Sequence, residues 1–141
     1  MDEELKTLLG STGEHLCGYH MESIVGIRYA KGASLVGYGT WMVLQREPSN
    51  HYDPFAVRVD LLDGVKVGYI RAVYARKLSK VMDDVELMKK IYVKCVALDS
   101  RDEYDVKTLV VFYRREEEED EEIQSALRNH LEHKITLQEI N

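Results

Sequence analysis

The segment Gln45-Arg46-Glu47-Pro48-Ser49-Asn50-His51-Tyr52-Asp53-Pro54-Phe55-Ala56-Val57 sets an asparagine, a tyrosine and an aspartate between two prolines. Upstream stands Val25-Gly26-Ile27-Arg28-Tyr29, and downstream Val67-Gly68-Tyr69-Ile70-Arg71. Aromatic faces stack on bases for ~1–3 kcal/mol each, and guanidinium groups hold phosphates. Tyr29 and Tyr52 beside Arg28 and Arg71 therefore have the chemistry of a surface for single-stranded nucleic acid. The same residue types also occur where two tyrosines pack in a core beside surface arginines. Spacing alone does not choose between the two.

Enzymatic chemistry has no comparable signal. There is no GxxxxGK[ST] phosphate loop, no GxGxxG after a strand and no HExxH. His15, His20, His51, His130 and His133 do not gather at ligand spacing in the body of the chain. His130 and His133 fall three apart on a helix-prone tail, where solvent-facing polar residues are the ordinary reading. Cys17 and His20 lack two further zinc ligands. No catalytic residue, metal site or cofactor is expected.

The elements that must position the tyrosines follow from hydrophobic period. Ile24 to Tyr29 is β-rich and reads as a first strand. Thr40 to Arg46 is a second, stopped at Pro48. Phe55, Val57, Val59 and Leu61 alternate with Ala56, Arg58 and Asp60, the pattern of a half-buried third strand. Asp63-Gly64 marks a hairpin turn into a fourth strand, Lys66 to Arg71. Tyr74, Leu78, Val81 and Met82 then fall at helical spacing, so a helix is expected from about Val73 to Met82. Ile91 to Leu98 and Lys107 to Tyr113 complete six strands. The expected fold is mainly β: a small OB-like six-stranded barrel with one helix between strands four and five. Closure would also remove exposed sheet edges.

The chain has 141 residues, 45% hydrophobic and 31% charged, which suits one domain with tails. Residues 1–20 read as a lead-in, 21–115 as the barrel and 116–141 as an acidic, helix-prone extension. Within the last, Ile123, Leu127 and Leu131 are spaced by four. The net charge of −6 arises from the run at 116–122, EEEEDEE. Between Tyr19 and Arg115, 16 Lys and Arg outnumber 12 Asp and Glu, so the body is mildly basic and permits a polyanionic partner. Two distant cysteines, Cys17 and Cys95, exclude a disulfide framework and fit a reducing compartment. The first residues show neither the basic region nor the apolar stretch of a signal peptide, and no apolar run could cross a membrane.

Val25 to Tyr29, Leu44 to Val57 and Val67 to Ile70 resemble the HIRAN domain family, found at the N-termini of fork-remodelling SWI/SNF-type ATPases and fused to other DNA-processing domains. The resemblance is good from Ile24 to Asp84 and extends towards Tyr113. It implies an OB-like barrel that binds the 3′ end of single-stranded DNA. By the family's motif, Arg28 and Tyr29 would hold backbone and stack on the terminal base. Tyr52 would be the second stacking tyrosine. Asp53 would accept the terminal 3′-hydroxyl, and Asn50 would contact the end or hold the loop. A carboxylate there favours a hydroxyl over a phosphate, since two unit charges at ~4 Å repel by roughly 4 kcal/mol at an effective dielectric constant near 20.

Two departures stand out. The family usually shows x-Asn-Ala after the aspartate, where this chain has Pro54-Phe55-Ala56. The family often has histidine after Val-Gly as a phosphate contact. Here Tyr69 stands there, with Arg71 two residues on as a replacement cation. Tyr104, Phe112 and Tyr113 are the candidates for a later stacking aromatic.

The expected function is a non-enzymatic module that binds single-stranded DNA 3′-OH ends and targets a repair or fork-remodelling activity. Arg28, Tyr29, Asn50, Tyr52, Asp53, Tyr69 and Arg71 form its site. A larger helicase, ATPase or nuclease is the expected context. The location would be nuclear in a eukaryote and cytoplasmic otherwise. The alternatives are a protein-interaction barrel and a single-strand binder without end specificity.

Overall fold

The computed structural model describes residues 7–9, 15–99, 105–115 and 120–130. Six antiparallel strands form a closed barrel: β1 (His15–Val25), β2 (Trp41–Arg46), β3 (Val57–Leu61), β4 (Lys66–Ile70), β5 (Ile91–Ala97) and β6 (Val106–Arg114). Their order around the barrel is β1-β4-β3-β2-β5-β6. Helix α1 (Ala72–Met82) and the short α2 (Val85–Met88) lie between β4 and β5, and α3 (Asp120–His130) follows β6. The expected fold class is the one adopted.

The first strand differs from expectation. It runs from His15 to Val25 and pairs with β6 from His15↔Arg114 to Ile24↔Val106. Residues 15–20, read from the sequence as lead-in, are thus barrel wall. Ile27–Tyr29, read as strand, is a 3-10 turn. Two features explain the difference. A register shift between Leu16 and Gly18 breaks the alternation that would have marked the early part of β1. Gly26 then adopts φ 70°, a left-handed value that stops the strand whatever the β-propensity of Ile27 and Tyr29. A second 3-10 turn, Lys31–Leu35, leads towards β2.

Period-two alternation places Val57 and Val59 in the core. Asp60 is buried too, and is tolerated because Arg58 donates from Nε (2.9 Å) and Nη2 (3.0 Å) to its two oxygens. Strand β6 is covered on both faces. Val106, Val110 and Phe112 join the barrel core, while Leu109, Val111 and Tyr113 pack outward with Leu9, Leu16 and Val96. The Thr108 hydroxyl, fully buried, donates to the Val96 carbonyl at 2.9 Å. Both cysteines are buried, and burial pushes their thiols up to about 12.

The acidic extension is not merely appended. Ile123 and Leu127 of α3 are 0% and 1% exposed and belong to the same core as Tyr74, Leu78 and Val81 of α1. At its end His130 meets Asp84 at 3.4 Å. Leu131, the third residue of the expected stripe, lies outside the described residues. Truncating Leu127 to alanine should therefore lower the unfolding free energy by about 2–5 kcal/mol, as for a buried leucine anywhere in the core. Urea unfolding checks this, and a change below about 0.5 kcal/mol, the range of surface substitutions, would show that α3 does not share the core.

Candidate nucleic-acid interface

The loop from β2 to β3 is built by its own motif. Asn50 Oδ1 accepts the amide hydrogens of Tyr52 (2.9 Å) and Asp53 (3.1 Å), the local turn that asparagine side chains favour. Its Nδ2 donates to Glu47 Oε1 at 3.0 Å. Glu47 Oε1 also accepts the Tyr69 hydroxyl at 2.9 Å, and Oε2 pairs with Arg58 at 3.2 Å. Partial burial pushes the Glu47 carboxyl up. The hydrogen bonds from Asn50 and Tyr69 and the charges of Arg58 and Lys66 outweigh it and hold the group below its ordinary value.

Arg46 secures the other arm. Its Nη1 donates to the Ala56 carbonyl (2.8 Å) and Nη2 to that of Pro54 (3.1 Å). Nε and Nη2 also bind both oxygens of Asp83, at the end of α1. Arg46, Glu47 and Arg58 were absent from the sequence-derived site. Arg46 and Glu47 had one signal, namely their place in the charged pair leading into Pro48 of the family motif.

This scaffold presents a cleft of about 310 Å³ lined by Val25, Asn50, Tyr52, Asp53, Ala56, Tyr69, Ile70 and Ala72. Four expected site residues thus meet in one place. Tyr52 is 95% exposed, and its ring makes an edge contact with His51 at 5.8 Å. Asp53 Oδ1 accepts the Phe55 amide at 2.9 Å, while Oδ2 receives no hydrogen bond among the described residues. Val25, Ala56, Ile70 and Ala72 make the remaining wall apolar. An exposed ring beside an open carboxylate oxygen can stack on a flat group and accept one hydroxyl.

Tyr69 lines the cleft with Lys66 Nζ over its ring at 4.4 Å, but its hydroxyl is committed to Glu47. Arg71 does not line the cleft. Its Nε (2.8 Å) and Nη2 (3.1 Å) donate to Glu22 on β1, whose side chain is only 4% exposed. Chain direction explains this: β4 ends at Ile70, and Arg71 leads into α1, leaving the strand face that Tyr69 occupies. Arg28 is exposed in the turn after Gly26, and Tyr29 closes that turn. The turn follows Val25, which pairs with Tyr69. Gly68 permits this approach, since a Cβ there would lie 2.5 Å from the Val25 carbonyl oxygen. Of the later aromatics, Phe112 and Tyr113 are 0% and 1% exposed and are removed as ligand contacts, while Tyr104 lies outside the described residues. Among the described residues no cluster of His, Cys, Asp or Glu could hold a metal, and no helix is long and apolar enough to cross a membrane.

These features define a small closed β-barrel whose candidate site is an external cleft between the β2–β3 loop, the ends of β1 and β4 and the start of α1. The chain belongs to the HIRAN domain family, whose model matches residues 18–116. It is 39% identical over 83 residues to the helicase-like transcription factor of Oryctolagus cuniculus, and 34% identical over 84 residues to that of Homo sapiens. Each alignment takes in 59% of this chain and 7% of the relative, so the chain spans a small part of those proteins. The crystal structure of the HIRAN domain of human HLTF is similar at TM-score 0.65 and 26% identity, covering 85% of this chain and 94% of that one. The NMR structure of the HLTF HIRAN domain in its DNA-bound conformation shares the fold at TM-score 0.55 and 24% identity, covering 86% and 94%.

The local bonds set two expectations. Asn50→Ala leaves the Tyr52 and Asp53 amides without their acceptor and should cost about 1–2 kcal/mol of stability. Thermal unfolding checks this, and an unchanged midpoint would remove Asn50 as the loop's brace. Glu22 titrates with the fold. Burial pushes its carboxyl up, but Arg71, the Ser23 amide and His20 outweigh burial and hold it below its ordinary 4.5. A group lowered on folding contributes stability that is complete above its unfolded pKa and is lost as pH falls through the folded value. Denaturant midpoints should fall below about pH 4.5 in the wild type, and this acid loss should be smaller in Glu22→Gln. An acid loss as steep in Glu22→Gln as in the wild type would contradict it.

Proposed function

We propose that this chain is a DNA-binding module that takes the 3′-hydroxyl end of a single strand in the cleft between the β2–β3 loop and the start of α1. One observation carries the reading: Tyr52, 95% exposed, and Asp53, one oxygen of which receives no hydrogen bond among the described residues, line one cleft with an apolar wall. The DNA-bound state of the related HLTF domain supports the choice of ligand class. The terminal base lies on Tyr52. Tyr29 is its second stacking partner by the family's Arg-Tyr motif, and Arg28 serves the adjoining phosphate. The 3′-hydroxyl donates to Asp53 Oδ2, a charge-assisted bond to an acceptor already fixed by the Phe55 amide. Asn50 and Tyr69 serve by holding the loop to the barrel.

The selection for an end follows from charge. A 3′-phosphate, or the phosphate of a continuing strand, would bring an anion against Asp53 in place of a donor. Targeting a larger remodelling or repair enzyme to such ends is the role that fits a segment matching about 7% of its relatives' length.

Titration with one oligonucleotide in 3′-hydroxyl and 3′-phosphate forms tests the mechanism. The wild type should bind the hydroxyl form more tightly. Asp53→Asn should lose most of that preference, and Tyr52→Ala should weaken binding to both forms by ~1–3 kcal/mol. Equal binding of the two forms by the wild type would reduce the module to a single-strand binder without end recognition. Unaltered affinity in Tyr52→Ala would remove the stacking platform.

A further inference from the structure

Resting on that reading, we propose that the exposed face of α1 holds the backbone phosphates of the same strand beyond the cleft, through Arg76 and Lys80. Ala72, in the first turn of α1, lines the cleft. Arg76 and Lys80 follow it at intervals of four residues, so the three lie in one row, about 6 Å apart along the axis. Both cations are exposed. Neither has a carboxylate partner among the described residues, unlike Arg46, Arg58 and Arg71.

The two acids that follow α1 in the chain are already occupied. Asp83 is bound by Arg46 through both oxygens, and Asp84 accepts the Leu87 amide and faces His130. A row of exposed cations that starts at the wall of the cleft taking the strand's end is complementary to the polyanion that continues from it. Arg76 is also held in place. Its guanidinium lies over the Phe55 ring, 5.0 Å from the centroid, and the Phe55 amide is the one that fixes Asp53. Phe55 stands where the family usually has asparagine. In this chain that position supplies a platform for the first cation of the α1 row, outside the cleft lining.

The test compares 3′-hydroxyl oligodeoxynucleotides of about three and about twelve nucleotides across a range of salt. Arg76→Gln/Lys80→Gln should bind the short one like the wild type and lose roughly tenfold on the long one. Its plot of log K against log salt should flatten by about 1.4, the value for two lost phosphate contacts on a single strand. Arg76→Lys/Lys80→Arg, which keeps both charges, should match the wild type on both. A wild-type affinity and salt slope for the long strand in the Gln variant, with Tyr52→Ala weakened at both lengths, overturns the α1 track and leaves the cleft reading standing. Equal loss at both lengths in the Gln variant puts the cations at the end itself and also overturns the track. Failure of the wild type to bind either length overturns the cleft reading, and the track with it.

Discussion

The Glu47 carboxylate is the point on which the candidate site depends. It accepts from Asn50 in the loop and Tyr69 on β4, and pairs with Arg58 on β3. An asparagine amide has two interchangeable-looking ends. The bond from Nδ2 to Glu47 decides which end turns inward, and so leaves Oδ1 for the Tyr52 and Asp53 amides. One buried-edge anion thereby sets the backbone that holds Tyr52 outward. Such a network stabilises a single arrangement because each polar atom in it has a partner.

The carboxylates of this barrel fall into two kinds. Glu22, Glu47 and Asp60 are saturated by arginines and by local donors, and they stabilise the fold. Asp53 lines the cleft and is half used: one oxygen braces its loop and the other receives no hydrogen bond among the described residues. A fully saturated Asp53 would be one more structural ion. A fully free one would lack a fixed direction. The division between its two oxygens gives a rigid acceptor with spare capacity, which is what recognition of one donor requires.

Backbone constraints bring this loop to its partners. Gly68 lets the Val25 strand end approach so closely that no Cβ fits, and Gly26 turns the chain sharply out of β1. The Val-Gly pairs that mark the family in sequence therefore do steric work at one seam of the barrel. Helix α1 closes the other side. Its first turn lines the cleft, and Arg46 ties its end to the carbonyls of Pro54 and Ala56. The core of α1 is shared with α3, so the acidic extension contributes to the same support.

Much of this was legible in the chain itself. Period-two alternation at Val57 to Leu61, the Asp63-Gly64 turn and the helical spacing of Tyr74, Leu78 and Val81 are local signals, and each matched its element. The loop motif likewise marked Tyr52 and Asp53, because proline and asparagine encode a turn within a few residues. Other features were decided only by contacts between distant segments. The early part of β1 carries a bulge, so its strand identity comes from β6, and the charge of Glu22 further along the strand is tolerated through Arg71, 49 residues on. The commitment of Tyr69 to Glu47, the withdrawal of Arg71 from the cleft and the burial of Phe112 and Tyr113 have the same origin. Residue type states what a side chain can bond, but which bond it makes depends on the partners that closure of the barrel brings within 3 Å or so.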